Sequence, residues 1–177
     1  MRYVPSRHWF WAAAGLALLA PVGVAWPPAL AALLVCDVGW VLALLLDGWF
    51  TADPNQVDVI REAPPAFSLG RVLPVWYSWS QTGRRHLRLR VREQFPSPLG
   101  LVDGATREIR IPPADVVRER VEVRPKRRGT AKGGRIALRC LGPLGLIWRQ
   151  GTLERPWTAV VFPSLAGIRQ RGLPAQA

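Results

Sequence analysis

Residues 84–95, RRHLRLRVREQF, alternate polar and apolar side chains with a period of two. That period is typical of a β-strand with one face on a core and the other in water. The even positions are polar: Arg84, His86, Arg88, Arg90, Arg92 and Gln94. The odd positions are apolar at Leu87, Leu89, Val91 and Phe95, with Arg85 and Glu93 as exceptions. This segment predicts an antiparallel sheet with a basic outer face.

The same alternation returns farther along the chain, at residues 117–124 and 135–140. Further short strands are predicted at residues 57–60, 71–79, 108–111, 145–149 and 158–162, separated by turns rich in Pro, Gly and Asp. About eight strands of this kind indicate an antiparallel β-sandwich of the immunoglobulin or fibronectin class over residues 51–166. Residues 167–177 are expected to form a C-terminal tail. Four tryptophans are expected to make core or rim contacts in the sandwich rather than to form a binding cage: Trp76, Trp79, Trp148 and Trp157.

The first fifty residues are of a different kind. Two apolar blocks, residues 9–25 and 29–46, are separated by Trp26-Pro27-Pro28. Each is close to the ~20 apolar residues that a membrane-spanning helix needs. Residues 1–50 are therefore predicted to form a transmembrane helical hairpin, with tryptophans near its ends as interfacial anchors.

The charges that flank this hairpin predict its orientation. Arg2 and Arg7 precede the first block, whereas the turn between the blocks carries no charge. By the positive-inside rule the N-terminus is cytoplasmic, and two crossings return the sandwich to the cytoplasmic side. The alternative is a signal peptide cleaved after Ala25, which would leave the second block as a lone anchor. We favour the uncleaved hairpin because tryptophans lie at the start of the first block.

Asp37 lies near the middle of the second apolar block. An ionisable group at that depth is costly and is often a proton carrier or a contact between helices. Since no Lys, Arg or His lies in either block, we favour a protonated or water-accessible carboxyl in a hairpin that does not fully span the membrane, or a carboxyl hidden in an oligomer.

Little in the sequence indicates an enzyme. His86 lies on the polar face of a strand without a nucleophile at a recognisable spacing. Cys36 and Cys140 fall in different parts of the chain, and with His8 they give no metal-ligand spacing. We therefore predict a non-enzymatic protein without a cofactor or metal.

The net charge of +12 falls entirely after Thr51, because Arg2, Arg7, Asp37 and Asp47 cancel before it. The alternating segments are expected to place their arginines on one exposed sheet face: Arg84, Arg88, Arg90, Arg92, Arg118, Arg120, Arg124, Arg135 and Arg139. Such a face is either an anion-binding or docking surface or a solvated face with interleaved glutamates as cross-strand partners. Both interpretations stay open. Nucleic acid is disfavoured because aromatic residues do not alternate with the basic ones.

Several short motifs follow one another after the apolar blocks. They are EAPPAFSLGR at residues 62–71, REQFP at 92–96, Arg128-Gly129, LGPLGLIWR at 141–149, and a strand at 157–164 that ends in Phe-Pro-Ser. In this order they resemble the N-terminal part of bacterial DUF fifty-eight proteins, a family of unknown function. The resemblance covers nearly the whole chain. The matching residues, which we interpret as turn and sandwich residues, are Gly70, Arg71, Arg128, Gly129, Pro143, Leu144 and Gly145.

Two departures from the family pattern bear on what the resemblance implies. The Asp that usually opens the Pro-Leu-Gly-Leu loop is Gly142 here. Family members continue into a von Willebrand factor A-like domain, so we expect this chain to be a split or truncated member in which residues 167–177 begin a linker. The resemblance implies a bacterial inner-membrane protein that acts with a MoxR-type AAA ATPase in the assembly or maturation of other proteins.

Two functions remain for the chain. The favoured one is a membrane-anchored, non-enzymatic scaffold whose sandwich docks a protein partner, with an AAA ATPase as the expected partner. The alternative is an arginine-rich sandwich that binds an anionic lipid surface or another polyanion. Charge reversal at the arginines should abolish binding to anionic vesicles only under the second. The oligomeric state is left open.

Overall fold

The computed structural model describes residues 2–102 and 104–163. The expected tail at residues 167–177 and the last residues assigned to the sandwich lie outside the described residues. Two helices, α1 (Arg7–Ala25) and α2 (Pro27–Phe50), are followed by a 3₁₀ turn at Pro54–Gln56. The strands are β1 (Arg2–Pro5), β2 (Val57–Glu62), β3 (Ala66–Ser68), β4 (Leu73–Gln81), β5 (Leu87–Glu93), β6 (Leu99–Leu101), β7 (Thr106–Ile111), β8 (Val117–Pro125), β9 (Gly129–Leu141) and β10 (Ile147–Phe162).

These strands form two packed sheets, as the alternation predicts. The larger sheet has the order β1-β10-β9-β5-β7, and β3 pairs with the far end of β10. The smaller sheet has the order β2-β4-β8-β6. All pairings are antiparallel except that between β3 and β10. The two-sheet antiparallel architecture is therefore confirmed.

The core lies between the sheets and is filled by the apolar positions of the alternating segments. Leu87, Leu89 and Val91 of β5 are all buried. Trp79 is fully buried and Trp157 packs against the core. The other two tryptophans, for which we expected core or rim contacts, lie outside the core: Trp76 is 39% exposed on β4, and Trp148 is half-buried at the start of β10. Each is covered on its outer side by an arginine, as described below.

β10 is one strand of 16 residues where the sequence predicts two short ones. Arg155-Pro156 lies between the two predicted strands, and in the structure it forms a β-bulge within one continuous strand. Glu154 pairs with Arg135 and Trp157 with Gly133, so two residues of β10 oppose Gly134 alone. Gly134 has a φ of 145°, and a Cβ there would lie 2.5 Å from the Arg155 carbonyl oxygen. Only glycine fits at that position.

The helices are joined by a single residue, Trp26, and pack closely at Gly23, where a Cβ would lie 2.9 Å from Leu33. Helices of 19 and 24 residues are about 28 and 36 Å long, and both are apolar enough to cross a membrane. Their side chains are largely exposed: Leu18 is 80% exposed and Val24 85%. The sandwich therefore does not use the helices as part of its core.

The first residues of the chain do not belong to the helical hairpin, although we predicted the hairpin over residues 1–50. Residues Arg2–Pro5 form β1, which pairs with β10 through Arg2 with Gln150 and Val4 with Trp148. Four residues before an apolar helix are too few to show a period, so their charge was interpreted only as a membrane flank. The sandwich thus receives strands from both sides of the helical pair.

Candidate functional site

The outer face of the larger sheet carries a continuous row of charged and polar side chains across its five main strands. Arg90 in β5 pairs with Glu108 of β7 on one side and with Arg139 of β9 on the other. The row continues from Arg139 through Gln150 to Arg2 in β1. A parallel row places Arg88 opposite Arg110. Two cross-strand pairs are thus of like charge, an arrangement that destabilises a sheet.

A groove of about 780 Å³ runs along this face. Its floor is built of small side chains, because Ala137 lies between Arg92 of β5 and Thr152 of β10 in the register. We call it the basic groove, since the residues around it include Arg2, Arg90, Arg92, Arg135 and Arg139. Small residues at the floor and long guanidinium-bearing ones around it give a concave surface suited to an extended anionic group.

Some of these arginines form ion pairs with acidic residues and others do not. The Arg90 Nε lies 3.0 Å from Glu108 Oε1, and its guanidinium carbon lies 4.8 Å from the centre of the Trp148 ring. Arg135 forms an exposed ion pair of 3.6 Å with Glu154. Within the described residues, the remaining arginines of the groove have no acidic partner: Arg2, Arg92 and Arg139.

Among the described residues that line the groove, Asp53 is the one acidic residue, and its carboxylate is bonded to Arg149. Arg149 donates from Nη2 to Asp53 Oδ2 at 2.7 Å and from Nη1 to the Thr51 carbonyl at 3.4 Å. The Arg149 guanidinium also lies 5.7 Å from the Tyr3 ring centre. The link that follows α2 is thereby tied to β10 and β1, beside the groove.

The arginines predicted to share one face are divided between the two sheets. Arg118, Arg120 and Arg124 belong to β8 in the smaller sheet, on the opposite side of the sandwich from the groove. Alternation separates inward from outward positions but does not tell which sheet a strand joins, so the single-face expectation was wrong. Arg84 lies in the turn between β4 and β5 rather than on either face.

The outer face of the smaller sheet is balanced in charge where the basic groove is not. Arg118 pairs with Glu62 at 3.0 Å and stacks 5.9 Å from the Trp76 ring centre. Arg120 pairs with Glu122 at 2.9 Å. These exposed pairs fit the solvated-face interpretation that was left open for all the arginines.

Glu93, the exception to the alternation of β5, is the centre of a buried polar cluster that joins the two sheets. It is only 3% exposed, forms an ion pair with Arg61 of β2, and accepts the Tyr77 hydroxyl of β4 at 2.6 Å. Arg107 lies 3.9 Å from it and also donates to Glu119 at 3.0 Å. The sequence signal was present, since Glu93 falls in the inward phase, but its partners lie on strands too distant to identify.

Burial dominates the titration of this cluster. It raises the pKa of the Glu93 carboxyl above its ordinary value, although Arg61, Tyr77 and Arg107 act in the opposite direction. Burial, followed by the neighbouring Glu93 charge, raises the pKa of Tyr77 far above its ordinary value. The ion pairs and the Tyr77 hydrogen bond make this a structural link between the sheets, although Arg107 keeps a buried Nε and Nη2 without a hydrogen-bond partner among the described residues.

A second site joins α2 to the sandwich. The Asp47 carboxylate, fully buried near the end of α2, accepts the backbone N–H groups of Leu144 at 2.6 Å, Leu146 at 2.8 Å and Ile147 at 2.9 Å. A Cβ at Gly142 would overlap both carboxylate oxygens. The resemblance implies an Asp at position 142, and the glycine found there leaves the space in which the Asp47 carboxylate lies.

The motif residues lie in or beside turns, except Gly129, which begins β9. Gly70, Gly129 and Gly145 all have positive φ, at 78°, 133° and 77°. Pro143 and Leu144 form the tip of the loop that Asp47 holds, and Leu144 is 58% exposed. Arg71 and Arg128 are exposed beside their glycines.

Asp37 is exposed on α2, and within the described residues it has no hydrogen-bond or ion-pair partner. In the same part of the chain no group of three or more His, Cys, Asp or Glu residues could hold a metal ion.

Comparison with known proteins adds only distant likenesses in fold. No family model matches the chain, and no curated protein matches it. Escherichia coli alpha-2-macroglobulin in its native conformation matches over 61% of this chain and 7% of its own, at 17% identity and a TM-score of 0.47. The CARDB domain of a Pyrococcus furiosus protein matches over 65% of this chain and 97% of its own, at 11% identity and a TM-score of 0.39. A PapD-like domain of human CEP192 matches over 64% of this chain and 91% of its own, at 8% identity and a TM-score of 0.41.

Proposed function

We propose that this chain is a membrane-anchored, non-enzymatic docking protein whose basic groove binds an acidic segment of a protein partner. The observation that carries the proposal is the group of arginines on the larger sheet that form no ion pair within the part of the chain that the structure describes. Arg2, Arg92 and Arg139 have no acidic partner in the described residues, and Arg90 lies opposite Arg139. If these arginines served only to keep the sheet soluble, acidic partners beside them would make the sheet more stable. The outer face of the smaller sheet has such partners.

The shape of the groove supports a peptide-like ligand. Guanidinium groups bind carboxylates in a two-pronged geometry, and several of them in a row match an extended acidic segment. Ala137 and Thr152, which are paired neighbours in the sheet, have small side chains that leave space over them for such a segment. The resemblance implies a MoxR-type AAA ATPase as the partner, and we propose an acidic surface of such an ATPase as the ligand.

The position of the groove favours a protein over a flat lipid surface. Leu141 ends β9 beside the helices, and Arg135 lies six residues farther along the strand. At about 3.3 Å per residue the groove therefore extends roughly 20 Å away from the helix ends. That distance exceeds the Debye length of about 8 Å at physiological salt, so Arg135 lies outside the reach of a lipid surface. Arg92 does so as well, because its partner Ala137 is four residues, or about 13 Å, from Leu141.

The pairing of β1 supports an uncleaved hairpin. β1 precedes α1 and pairs with β10, so the N-terminus and the sandwich lie on the same side of any membrane that both helices cross. Removal of residues 1–25 would also remove an edge strand. With Arg2 and Arg7 as the flanking charges, we propose the cytoplasmic face of a bacterial inner membrane as the location of the sandwich.

Site-specific photo-crosslinking in cells tests the docking proposal. A photoreactive residue is placed at Ala137 on the floor of the groove, and a matched one at Ile60, which is 62% exposed on the smaller sheet. We expect a crosslink from position 137 to an acidic protein, with an AAA ATPase as the expected partner, and its loss when Arg92 and Arg139 are both changed to Glu. Equal crosslinking from both positions, or none from 137, would contradict the proposal.

A further inference from the structure

A second basic pocket, separate from the groove, lies where the helices meet the sandwich. Its volume is about 710 Å³, and the loop held by Asp47 forms one wall. We call it the juxtamembrane pocket. The opposite wall is the turn between β4 and β5, and the ends of both helices contribute as well. The side chains on which the inference rests are His8, Phe50, Arg84, Arg85, His86 and Leu144.

The height of this pocket is fixed by contacts with the last turn of α2. The Leu144 amide donates to Asp47, three residues before the end of that helix, so the loop tip lies beside the helix rather than beyond it. Phe50 is 52% exposed and Leu144 58%. Two large apolar side chains therefore face outward at the level where a membrane-spanning helix leaves the hydrocarbon.

The basic turn is held in place at the same level. Gln81 donates from Nε2 to the Arg85 carbonyl at 2.8 Å and to the Ile111 carbonyl at 2.7 Å, and it is only 9% exposed. The Arg85 guanidinium lies 5.1 Å from the centre of the Phe50 ring. The turn is thus fixed to the core on one side and contacts the helix end on the other.

The charge around the pocket is of one sign. Three arginines, Arg84, Arg85 and Arg88, line it together with His8 and His86. Among the described residues that line it there is no Asp or Glu. Basic side chains beside apolar ones match a phospholipid, in which an anionic phosphate adjoins the acyl chains.

We propose that the juxtamembrane pocket binds the headgroup phosphate of an anionic phospholipid, with Arg84 and Arg85 on the phosphate and Leu144 and Phe50 against the glycerol and upper acyl chain. The inference rests on the proposed membrane anchoring and deepens it, because it names the lipid class at the junction. It concerns different residues from the basic groove, so either site can fail without the other.

The test uses the full chain reconstituted in nanodiscs of phosphatidylcholine with a minority of phosphatidylglycerol, followed by native mass spectrometry of the lipids retained. The variant is Arg84→Gln with Arg85→Gln. The matched control is Arg127→Gln with Arg128→Gln, another adjacent pair in an exposed turn, which precedes the opposite end of β9. A further arm adds inorganic phosphate at the same concentration as the phosphatidylglycerol, which displaces the lipid only if the pocket prefers free phosphate to the lipid.

We expect the wild-type chain and the control to retain phosphatidylglycerol. The Arg84/Arg85 variant should retain at least about tenfold less of this lipid than the wild-type chain. Equal retention by the variant, or displacement by inorganic phosphate, would overturn the lipid pocket. Nanodiscs of phosphatidylcholine alone separate the two proposals. If the chain incorporates into these nanodiscs but shows no preference for phosphatidylglycerol in the mixed ones, the pocket alone is overturned. If the chain fails to incorporate, the membrane anchoring and the pocket are overturned together.

Discussion

The Asp47 carboxylate accepts the backbone N–H of Leu146 at 2.8 Å, between residues 99 positions apart in the sequence. A carboxylate near the C-terminal end of a helix is unfavourable to the helix dipole. Here three N–H groups of one loop offset that cost, and Ser6 donates its own N–H to the Leu146 carbonyl at 2.7 Å. One loop therefore fixes both helices to the sandwich.

This arrangement predicts that Gly142 and Asp47 are energetically coupled. Gly142→Ala should lower the free energy of unfolding by about 1–3 kcal/mol, because the added Cβ overlaps the Asp47 oxygens. In an Asp47→Ala background the same change should cost less than about 0.5 kcal/mol, because the overlap is gone. Urea unfolding of the full chain in detergent, followed by tryptophan fluorescence, measures all four proteins.

Asp115→Asn provides the control for that cycle, since Asp115 bonds only to the adjacent Val116 N–H in an exposed turn. Additive effects of the Gly142 and Asp47 changes would show that the loop does not depend on the carboxylate.

The buried cluster predicts a large effect at Glu93. Glu93→Ala leaves the Arg61 guanidinium, whose side chain is 5% exposed, without its carboxylate. We expect a loss of about 3–5 kcal/mol in unfolding free energy. Glu108→Ala removes the partner of Arg90 from a pair in which the Glu108 side chain is 68% exposed, and should cost less than about 1 kcal/mol. Similar losses for the two variants would mean that the cluster is not a buried charge network.

The raised pKa of Glu93 gives the pH dependence of stability a definite sign. The folded chain holds the Glu93 proton to higher pH than the unfolded chain, so this contribution is full below the ordinary pKa of 4.5 and is lost as pH rises through the folded value. Glu93→Gln removes the titration. A plot of unfolding free energy against pH should therefore fall less steeply above pH 4.5 in this variant, and identical slopes would argue against a raised pKa.

Burial, assisted by the charge of Asp53, raises the pKa of Cys140 to about 12. Because the thiolate is the reactive form, the thiol should resist maleimide in the folded chain near neutral pH. Labelling of a Cys36→Ser variant, read by mass spectrometry before and after denaturation, isolates this residue. Rapid labelling before denaturation would place Cys140 outside the core.

Local patterns were sufficient for the architecture of the sandwich. The alternation of β5 correctly assigns Leu87, Leu89 and Val91 to the core, because a period of two is a property of the strand itself. The two helices follow for the same reason, since an apolar block of that length has few other structures available. Glycines with positive φ, such as Gly145, could likewise be identified from the turn chemistry around them.

Features that depend on long-range pairing could not be predicted in this way. Which sheet receives Arg118 depends on β8 pairing with β4, and no local pattern encodes that choice. Asp47 was counted only as a charge that cancels a basic one, although its partners lie about 100 residues away. Arg2 was likewise interpreted as a membrane flank, while its pairing with Gln150 places it along the basic groove.

Binding of an acidic peptide tests the central proposal most directly. The full chain in nanodiscs of phosphatidylcholine alone is titrated into a fluorescent peptide rich in Glu, and the dissociation constant is measured by anisotropy at several salt concentrations. The groove variant is Arg92→Glu with Arg139→Glu, and the matched control on the smaller sheet is Arg118→Glu with Arg124→Glu. The account predicts salt-dependent binding that the groove variant weakens at least about tenfold and the control leaves nearly unchanged. Equal weakening by both variants, or no binding by the wild-type chain at low salt, would contradict it.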